Sequence, residues 1–320
     1  MGVSFLTPFD ALFALTALLP LTAFLLAQRR AEAVRRLFSL PIRRGRELAV
    51  TAAALVLLPA LLGVAATQPV IVRQEPLQQR ADSEALFVFD ISTSMQARST
   101  ATSPTRLTRA KRDAIQLEQR LGNIPAGIAV MTDRTLPLLM PTTDLGLFVR
   151  TVRQSVEINS PPPSRHYSTR ASSFTALTSM RSAQFFPPGV THPILVVFTD
   201  GETTPLPPTF ALTFRPEDRV PVLGVHVWQS DERVFVNGRA VQGYAADQSS
   251  SGALRSFAEL TGGHEYTENE LGDVAKAIRS IASGTPRTTT VEHYSRVALA
   301  PWFVLAGVLP LGFLLWRRNL

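Results

Sequence analysis

Three long uncharged apolar runs constrain this chain more than anything else in it: Ala11 to Ala27, Leu48 to Ala66 and Val297 to Trp316. Each is close to the roughly 20 residues that an α-helix needs to cross a bilayer. Lipid offers no partner for an open backbone group, so runs of this kind read as membrane helices. Pro20, Pro59 and Pro310 lie inside them, and neighbouring helices accommodate proline in that setting. Among 320 residues, 45% are hydrophobic, more than a water-exposed surface would ask for, which agrees with three spans. Val64-Ala65-Ala66 offers a small-residue pattern like a signal cleavage site. A preceding apolar span and the length of the run argue instead for a retained helix.

Arginine sets the expected orientation. Arg29, Arg30, Arg35, Arg36, Arg43, Arg44 and Arg46 crowd the short loop between the first two runs, and Arg317 and Arg318 follow the third. The positive-inside rule puts both clusters in the cytoplasm. The N-terminus and the region from Gln68 to about Arg296 then lie outside. These nine arginines exceed the whole net charge of +7, so the basic balance is a matter of topology and gives no case for nucleic acid. Anionic lipid headgroups are the natural partner of that loop. Cysteine is absent, which removes disulfides, thiolate metal sites and cysteine nucleophiles together.

Residues 1–82 thus read as an anchor, 83–285 as a separate domain, and 286–320 as a connector with the last span. Gln68 to Ser83 reads as a short polar connector. Leu86 to Phe89 is an apolar strand of the kind buried on both faces, and it stops on Asp90. A helix follows from Thr105 to Leu121, with Leu107, Ala110, Ala114, Leu117 and Leu121 on one face. Arg106, Arg109, Arg112 and Arg120 read as its solvated face. Gly127 to Met131 is a strand, and Leu136 to Met140 its antiparallel partner. Thr142-Thr143-Asp144 caps a helix to Val156, apolar at Leu147, Val149 and Val152. Pro161-Pro162-Pro163 opens a loop to Ala171. A helix from Ser173 uses Phe174, Leu177 and Met180. Pro193 to Phe198 is a second buried strand that also ends on acids, in Asp200-Gly201-Glu202.

Pro205 to Pro216 reads as a loop and Val220 to Val227 as another buried strand. Asn237-Gly238 between short β runs signals an inserted hairpin. A helix with Leu254 and Phe257 closes on Gly262-Gly263, and a last helix carries Leu271 to Ile281. Strands alternating with helices predict an α/β fold, a doubly wound and mostly parallel sheet, whose ligands bind beyond the strands' carboxyl ends. Asp90 and Asp200 both sit at such ends.

The loop after the first strand presents Asp90, Ser92 and Ser94, three hard oxygen groups at alternating positions. That chemistry suits Mg²⁺, which takes few carboxylates and keeps waters; Mn²⁺ or Ca²⁺ would serve as substitutes. Capping residues at a strand end are the ordinary alternative, since Asp and Ser are common there. Enzyme readings fare worse. A haloacid-dehalogenase-type phosphatase also places Asp at a strand end, but its second Asp would stand where Ser92 does. There is no Gly-x-Ser-x-Gly elbow. His166, His192, His226, His264 and His293 lack zinc spacing and read as surface or loop residues. Glu202 could act as a base, although exposed loop acids usually only solvate.

Asp90-x-Ser92-x-Ser94 after an apolar strand, with Phe198-Thr199-Asp200-Gly201 ending a later one, resembles the von Willebrand factor A (VWA) domain. The match covers about Ser83 to Ser283 and includes Leu260-Thr261-Gly262-Gly263. The resemblance implies a metal-ion-dependent adhesion site in which Ser92 and Ser94 ligate Mg²⁺ and Asp90 and Asp200 hold its waters. A hydroxyl from a second loop should complete it. Ser172 and Thr175 compete for that place, with Ser173 a third choice, because no clean Gly-Thr signature is present. Few charges on the ion leave it electrophilic, with an open position for a carboxylate from a partner protein. Two N-terminal spans, an Arg-rich loop, an outer domain and a final span resemble the Bat-type (aerotolerance-operon) membrane proteins; Leu19-Pro20-Leu21 and Pro141-Thr142-Thr143-Asp144 fit. That resemblance implies work with a MoxR-type AAA+ ATPase or other VWA membrane proteins. The chain itself carries no Walker A motif.

Overall fold

The computed structural model describes residues 2–38, 45–162, 172–207, 209–213, 219–284 and 287–318. The chain divides into two compact units, one of residues 1–76 with 292–320 and one of residues 77–291.

In the first unit, strand β1 (Gly2–Phe5) leads through a 3-10 helix (Pro8–Ala17) into α1 (Leu18–Leu37), and α2 (Gly45–Ala66) and α8 (Ala300–Arg318) complete the helices. Pro8–Arg35, Leu48–Ala66 and Ala300–Arg317 are long and apolar enough to cross a membrane, which marks the chain as membrane-associated. The first expected span therefore starts earlier, and its opening turns are 3-10. Close packing explains Gly63: a Cβ there would stand 2.7 Å from the Ala14 Cβ, so α2 lies flush against that 3-10 segment.

Two strands replace what the sequence offered as connectors. β2 (Pro69–Arg80) occupies the segment read as a polar linker, and β11 (Thr288–Ala298) the stretch before the last span. β2 pairs antiparallel with β1, Gly2 opposite Val72 and Phe5 opposite Pro69, in a sheet of order β1-β2-β11. Val297 and Ala298 thus belong to a strand, and the third helix starts at Ala300.

The second unit is built on a six-stranded sheet. Its strands are β3 (Ser83–Asp90), β4 (Ala126–Met131), β5 (Thr135–Thr142), β6 (His192–Thr199), β7 (Val222–His226) and β10 (His264–Thr267). Their order is β10-β7-β6-β3-β4-β5, and every neighbouring pair is parallel except β4 with β5. The doubly wound, mostly parallel sheet expected from the sequence is therefore present, with β5 as its antiparallel edge. β10 closes the other edge and had no counterpart in the sequence reading, because His-Glu-Tyr-Thr is short and polar.

Every residue of β3 is buried, and alternation sends its side chains into two separate cores. Ala85, Phe87 and Phe89 pack under α3 (Arg106–Glu118), α4 (Leu145–Ser155) and α7 (Leu271–Ile281). Leu86 and Val88 face the other way, with Phe174, Leu177 and Met180 and with α6 (Ser250–Leu260). On the first side Phe198 stacks between Phe87 and Phe89, with ring centroids 6.0 and 5.3 Å away. Burying each such ring contributes about 1.5–3 kcal/mol.

Some local expectations shift. α4 buries Phe148 and Val152, while Leu147 stays at the surface. Phe174–Leu177 is one 3-10 turn rather than the start of an α-helix, although Phe174, Leu177 and Met180 are all buried as expected. The short helix α5 (Phe210–Thr213) interrupts the proline-rich stretch. The Asn-Gly hairpin is there, as β8 (Phe235–Val236) and β9 (Arg239–Ala240), with positive φ at Asn237 and Gly238.

Candidate functional site

β3 lies at the centre of the sheet, and the chain runs outward from it to both sides. The strand order reverses between β3 and β6, which is where an open α/β sheet leaves a crevice at its carboxyl edge. Phe89 and Phe198 are in register, so Asp90 and Thr199 emerge side by side into that crevice.

Asp90 is fully buried. Its Oδ1 accepts the Ser92 backbone N–H at 2.9 Å, and its Oδ2 accepts the Thr199 hydroxyl at 2.7 Å. The first bond makes an Asx turn that folds the chain back at once. The second is a residue the sequence reading missed. Thr199 Oγ1 also accepts the Gly201 N–H at 3.0 Å, so one hydroxyl ties the β3 loop to the β6 loop. Burial, and then the neighbouring Asp200 charge, push the Asp90 carboxyl up to about 7, against the hydrogen bonds from Ser92 and Thr199.

After the turn, Thr93–Gln96 form a 3-10 turn that drops Met95 into the core. It leaves the Ser92 and Ser94 hydroxyls facing one another at 3.0 Å. Adjacent ligands of an octahedral ion with bonds of 2.0–2.1 Å stand about 3 Å apart, so this pair matches one edge of a Mg²⁺ shell. Asp200 repeats the Asx turn, its Oδ1 accepting the Glu202 N–H at 3.0 Å. Gly201 adopts φ +71°, and a Cβ would meet the Ser250 carbonyl oxygen at 2.5 Å. Both conformation and room therefore demand glycine there.

Of the second-loop candidates, Ser172 is fully buried and its Oγ donates to the Glu202 carbonyl at 3.4 Å. Its own carbonyl accepts the hydroxyls of Thr203 and Thr204 at 3.0 and 2.7 Å. Thr175 is exposed and shares a hydrogen bond of 2.7 Å with Ser173. The structure thus brings Ser172 against the Asp200 loop and leaves Thr175 at the surface.

The largest departure from the sequence reading is Arg106, expected on a solvated face and in fact wholly buried at the first turn of α3. Its Nε donates to Glu232 Oε2 at 2.6 Å. Its Nη1 reaches Asp200 Oδ2 at 2.8 Å, Glu202 Oε1 at 2.9 Å and the Tyr244 hydroxyl at 3.0 Å, with the Ser94 carbonyl at 3.5 Å. Burial disfavours its charge, but Asp200 and Glu232 more than compensate and hold its pKa above the ordinary value. Arg109 extends the network to Glu232 at 2.6 Å and Glu268 at 2.8 Å. Glu202 is therefore a buried ion-pair partner rather than an exposed loop acid. The signal for Arg106 was in the sequence: it falls on the same helical stripe as Ala110, Asp113 and Leu117, all of them buried.

His226 likewise is no surface residue. Its Nε2 lies 3.0 Å from the Asp200 carbonyl oxygen and 3.1 Å from Ser250 Oγ. Because a carbonyl only accepts, Nε2 carries the proton. Burial lowers the ring's pKa, so it supports the Asp200 loop as a neutral donor.

Among the described residues no group of three or more His, Cys, Asp and Glu side chains is placed to hold an ion. The donor set is hydroxyls with Asp90 and Asp200, and the surrounding charges suit a divalent cation. Asp200, Glu202, Glu232 and Glu268 face the guanidiniums of Arg106 and Arg109, so among the described residues this network carries two more formal negative charges than positive before Asp90 is counted.

No protein-family profile matches the chain, and no curated protein matches it. Solved structures similar to it include BatB from Bacteroides thetaiotaomicron, 21% identical, covering 63% of this chain and 100% of that one with a TM-score of 0.49. Another is an aerotolerance-related membrane protein from Bacteroides fragilis carrying multiple mutations to serine, 20% identical, over 62% of this chain and 98% of that one, with a TM-score of 0.48. A third is proximal thread matrix protein 1 of the mussel byssus with a zinc-occupied MIDAS motif, 14% identical, over 66% of this chain and 49% of that one, with a TM-score of 0.39. The first two bear the names that the Bat-type resemblance implies.

Proposed function

We propose that the unit of residues 77–291 is a membrane-anchored, non-enzymatic protein-binding module that captures an acidic side chain of a partner through a divalent cation. Mg²⁺ is the natural ion, with Mn²⁺ or Ca²⁺ as substitutes. The observation that carries the proposal is the 3.0 Å pair of Ser92 and Ser94 hydroxyls poised beside the buried Asp90 carboxylate. Ser92 and Ser94 would hold the ion, Ser172, set against the Asp200 loop, is the better placed second-loop hydroxyl, and Asp90 and Asp200 would hold the ion's waters. The bound cation supplies an electrophilic position that a carboxylate can fill. Asp90 fixes the turn that aims the two serines, and Thr199 locks Asp90 against the β6 loop.

A hydrolase that uses Asp90 as nucleophile or base fits less well. The carboxylate is fully buried, and both of its oxygens already accept hydrogen bonds. A structural spacer with a degenerate site would leave the unbalanced charge around Asp200 without a purpose. The arginine clusters favour the module outside the cytoplasmic membrane, with the Arg-rich loop and the C-terminus inside and anionic lipid against that loop. The Bat-type resemblance extends the reading to a MoxR-type ATPase system, or to other VWA membrane proteins, as the partner.

Thermal unfolding of the full detergent-solubilised chain, with Mg²⁺ or with a chelator, tests the site. Wild type should gain several degrees from Mg²⁺ and Ser92→Ala should gain none, while both unfold alike in chelator. An equal response in the two proteins removes the serine pair from the site. Phosphoester turnover that disappears in Asp90→Asn would overturn the non-enzymatic reading.

A further inference from the structure

Arg106 does more than close a salt bridge. Its Nη1 takes one oxygen of Asp200, in the loop after β6, at 2.8 Å and also lies 3.5 Å from the Ser94 carbonyl, in the loop after β3. A guanidinium therefore already stands where positive charge is wanted. Two residues of the segment between β7 and α6 hold it there: Glu232 grips Nε at 2.6 Å, and Tyr244 bridges Nη1 and Glu202 with its hydroxyl 3.0 Å from each. That segment contains the β8–β9 hairpin. The arrangement is not fully satisfied, because Arg106 Nη2 is buried and has no hydrogen-bond partner among the described residues. A structural ion pair would ordinarily use that group, since a buried unpaired donor costs about 1–3 kcal/mol.

We infer that Arg106 is the affinity-setting residue of the metal site: its guanidinium competes with the divalent cation for Asp200, and the segment between β7 and α6 holds it in place. The inference rests on the metal-binding reading above and adds a consequence to it. With Arg106 seated, the domain keeps Asp200 and Glu202 paired and folds without an ion. An incoming cation must share Asp200 with the guanidinium or displace it, which keeps binding weak and readily reversed. Removing the guanidinium leaves at least three formal negative charges around the site and frees Asp200, so the cation should then bind more tightly and also become necessary for stability.

The test measures Mn²⁺ binding to the full chain in detergent by the electron paramagnetic resonance of free Mn²⁺, alongside thermal unfolding with and without Mn²⁺. Wild type, Ser92→Ala, Arg106→Gln, Arg106→Lys and the Ser92→Ala/Arg106→Gln double variant are compared. Arg106→Gln should melt lower than wild type in chelator, regain most of the loss with Mn²⁺, and bind Mn²⁺ about tenfold more tightly, equivalent to about 1.4 kcal/mol. The double variant should lose that binding. Arg106→Lys keeps the charge, but its single ammonium cannot grip Glu232 and Asp200 as the planar fork does, so its affinity should fall between the two. Should Arg106→Gln fail to fold, the lysine variant reads the same quantity. Unchanged or weaker Mn²⁺ affinity overturns the inference, and so does a loss of stability that Mn²⁺ does not restore. If Ser92-dependent binding persists in that outcome, the metal-binding reading survives. If no variant shows Ser92-dependent binding, both fall. Binding in Arg106→Gln alone would support the inference and show that the arginine excludes the ion from the wild-type site.

Discussion

Glu84 shows what a single acid contributes when burial dominates its surroundings. It is the second residue of β3, at the opposite end of the strand from Asp90; it is 9% exposed, and its Oε2 has no hydrogen-bond partner among the described residues. Burial alone pushes its carboxyl up to about 7 from an ordinary 4.5. The folded protein therefore holds this proton more tightly than the unfolded chain does. Stability contributed here is present at low pH and is lost as pH rises from about 4.5 through about 7. Glu84→Gln stays neutral throughout, so it should match wild type near pH 4 and exceed it by about 1–3 kcal/mol near pH 8. Chemical denaturation of the two proteins at both pH values measures the difference, and an equal gain at both would assign the effect to packing instead. Sequence alone announced Asp90 and Asp200, because each follows an unbroken apolar run. Arg106 and Glu84 were harder to see, since a charged residue inside an element reads as solvent-facing until its stripe or strand is known to be covered.

At the scale of the element, the end of α6 separates two uses of glycine that the sequence showed only as a pair. Gly262 adopts φ +82°, the left-handed cap expected where a helix stops. Gly263 has a different reason: a Cβ there would run into the backbone of Val222, at the start of β7. Gly262→Ala should cost about 1 kcal/mol through backbone strain alone. Gly263→Ala should cost more, since the helix end and the strand must part and the β7–β10 edge must give with them. Denaturant midpoints rank the two, and the reverse order would mean that β7 yields easily. Buried strands such as β3 and β6 were legible from their apolar runs, and the β8–β9 hairpin from its turn chemistry. β2 was not, because Arg73, Gln74, Glu75 and Pro76 break any apolar alternation and a proline in a strand argues for an edge. Phe174–Leu177 shows the converse failure. Its apolar spacing suits a helix, yet Ser and Thr on both flanks favour tight turns over a continued one.

For the whole molecule, the absence of cysteine makes the proposed orientation directly readable. Single cysteines introduced at Ser160, which is exposed in the unit of residues 77–291, and at Ala33, near the end of α1, would be the only thiols in the protein. An impermeant thiol reagent added to intact cells should label Ser160→Cys at once and Ala33→Cys only after the membrane is opened. The reverse pattern would turn the protein over and place the Asp90 crevice in the cytoplasm. Two levels of the chain differ in what the sequence reveals of them. Span lengths and arginine positions follow from the cost of moving charge into lipid, so they survive without any knowledge of packing. Completion of the crevice by Glu232 and Tyr244 depends on where a long inserted segment returns, and no local pattern encodes that.

The chemistry of the crevice also bears on what the molecule can endure. Its donors are hydroxyls and carboxylates, with neither thiolate nor thioether among them, and Met95, the nearest sulfur to the Ser92–Ser94 turn in sequence, is fully buried beneath it. Oxygen ligands of this kind have no oxidation ladder to climb, unlike cysteine and exposed methionine. Soft cations such as Cu(I) also find little to hold them there. A crevice lined by such groups keeps its character when dioxygen or peroxide is present.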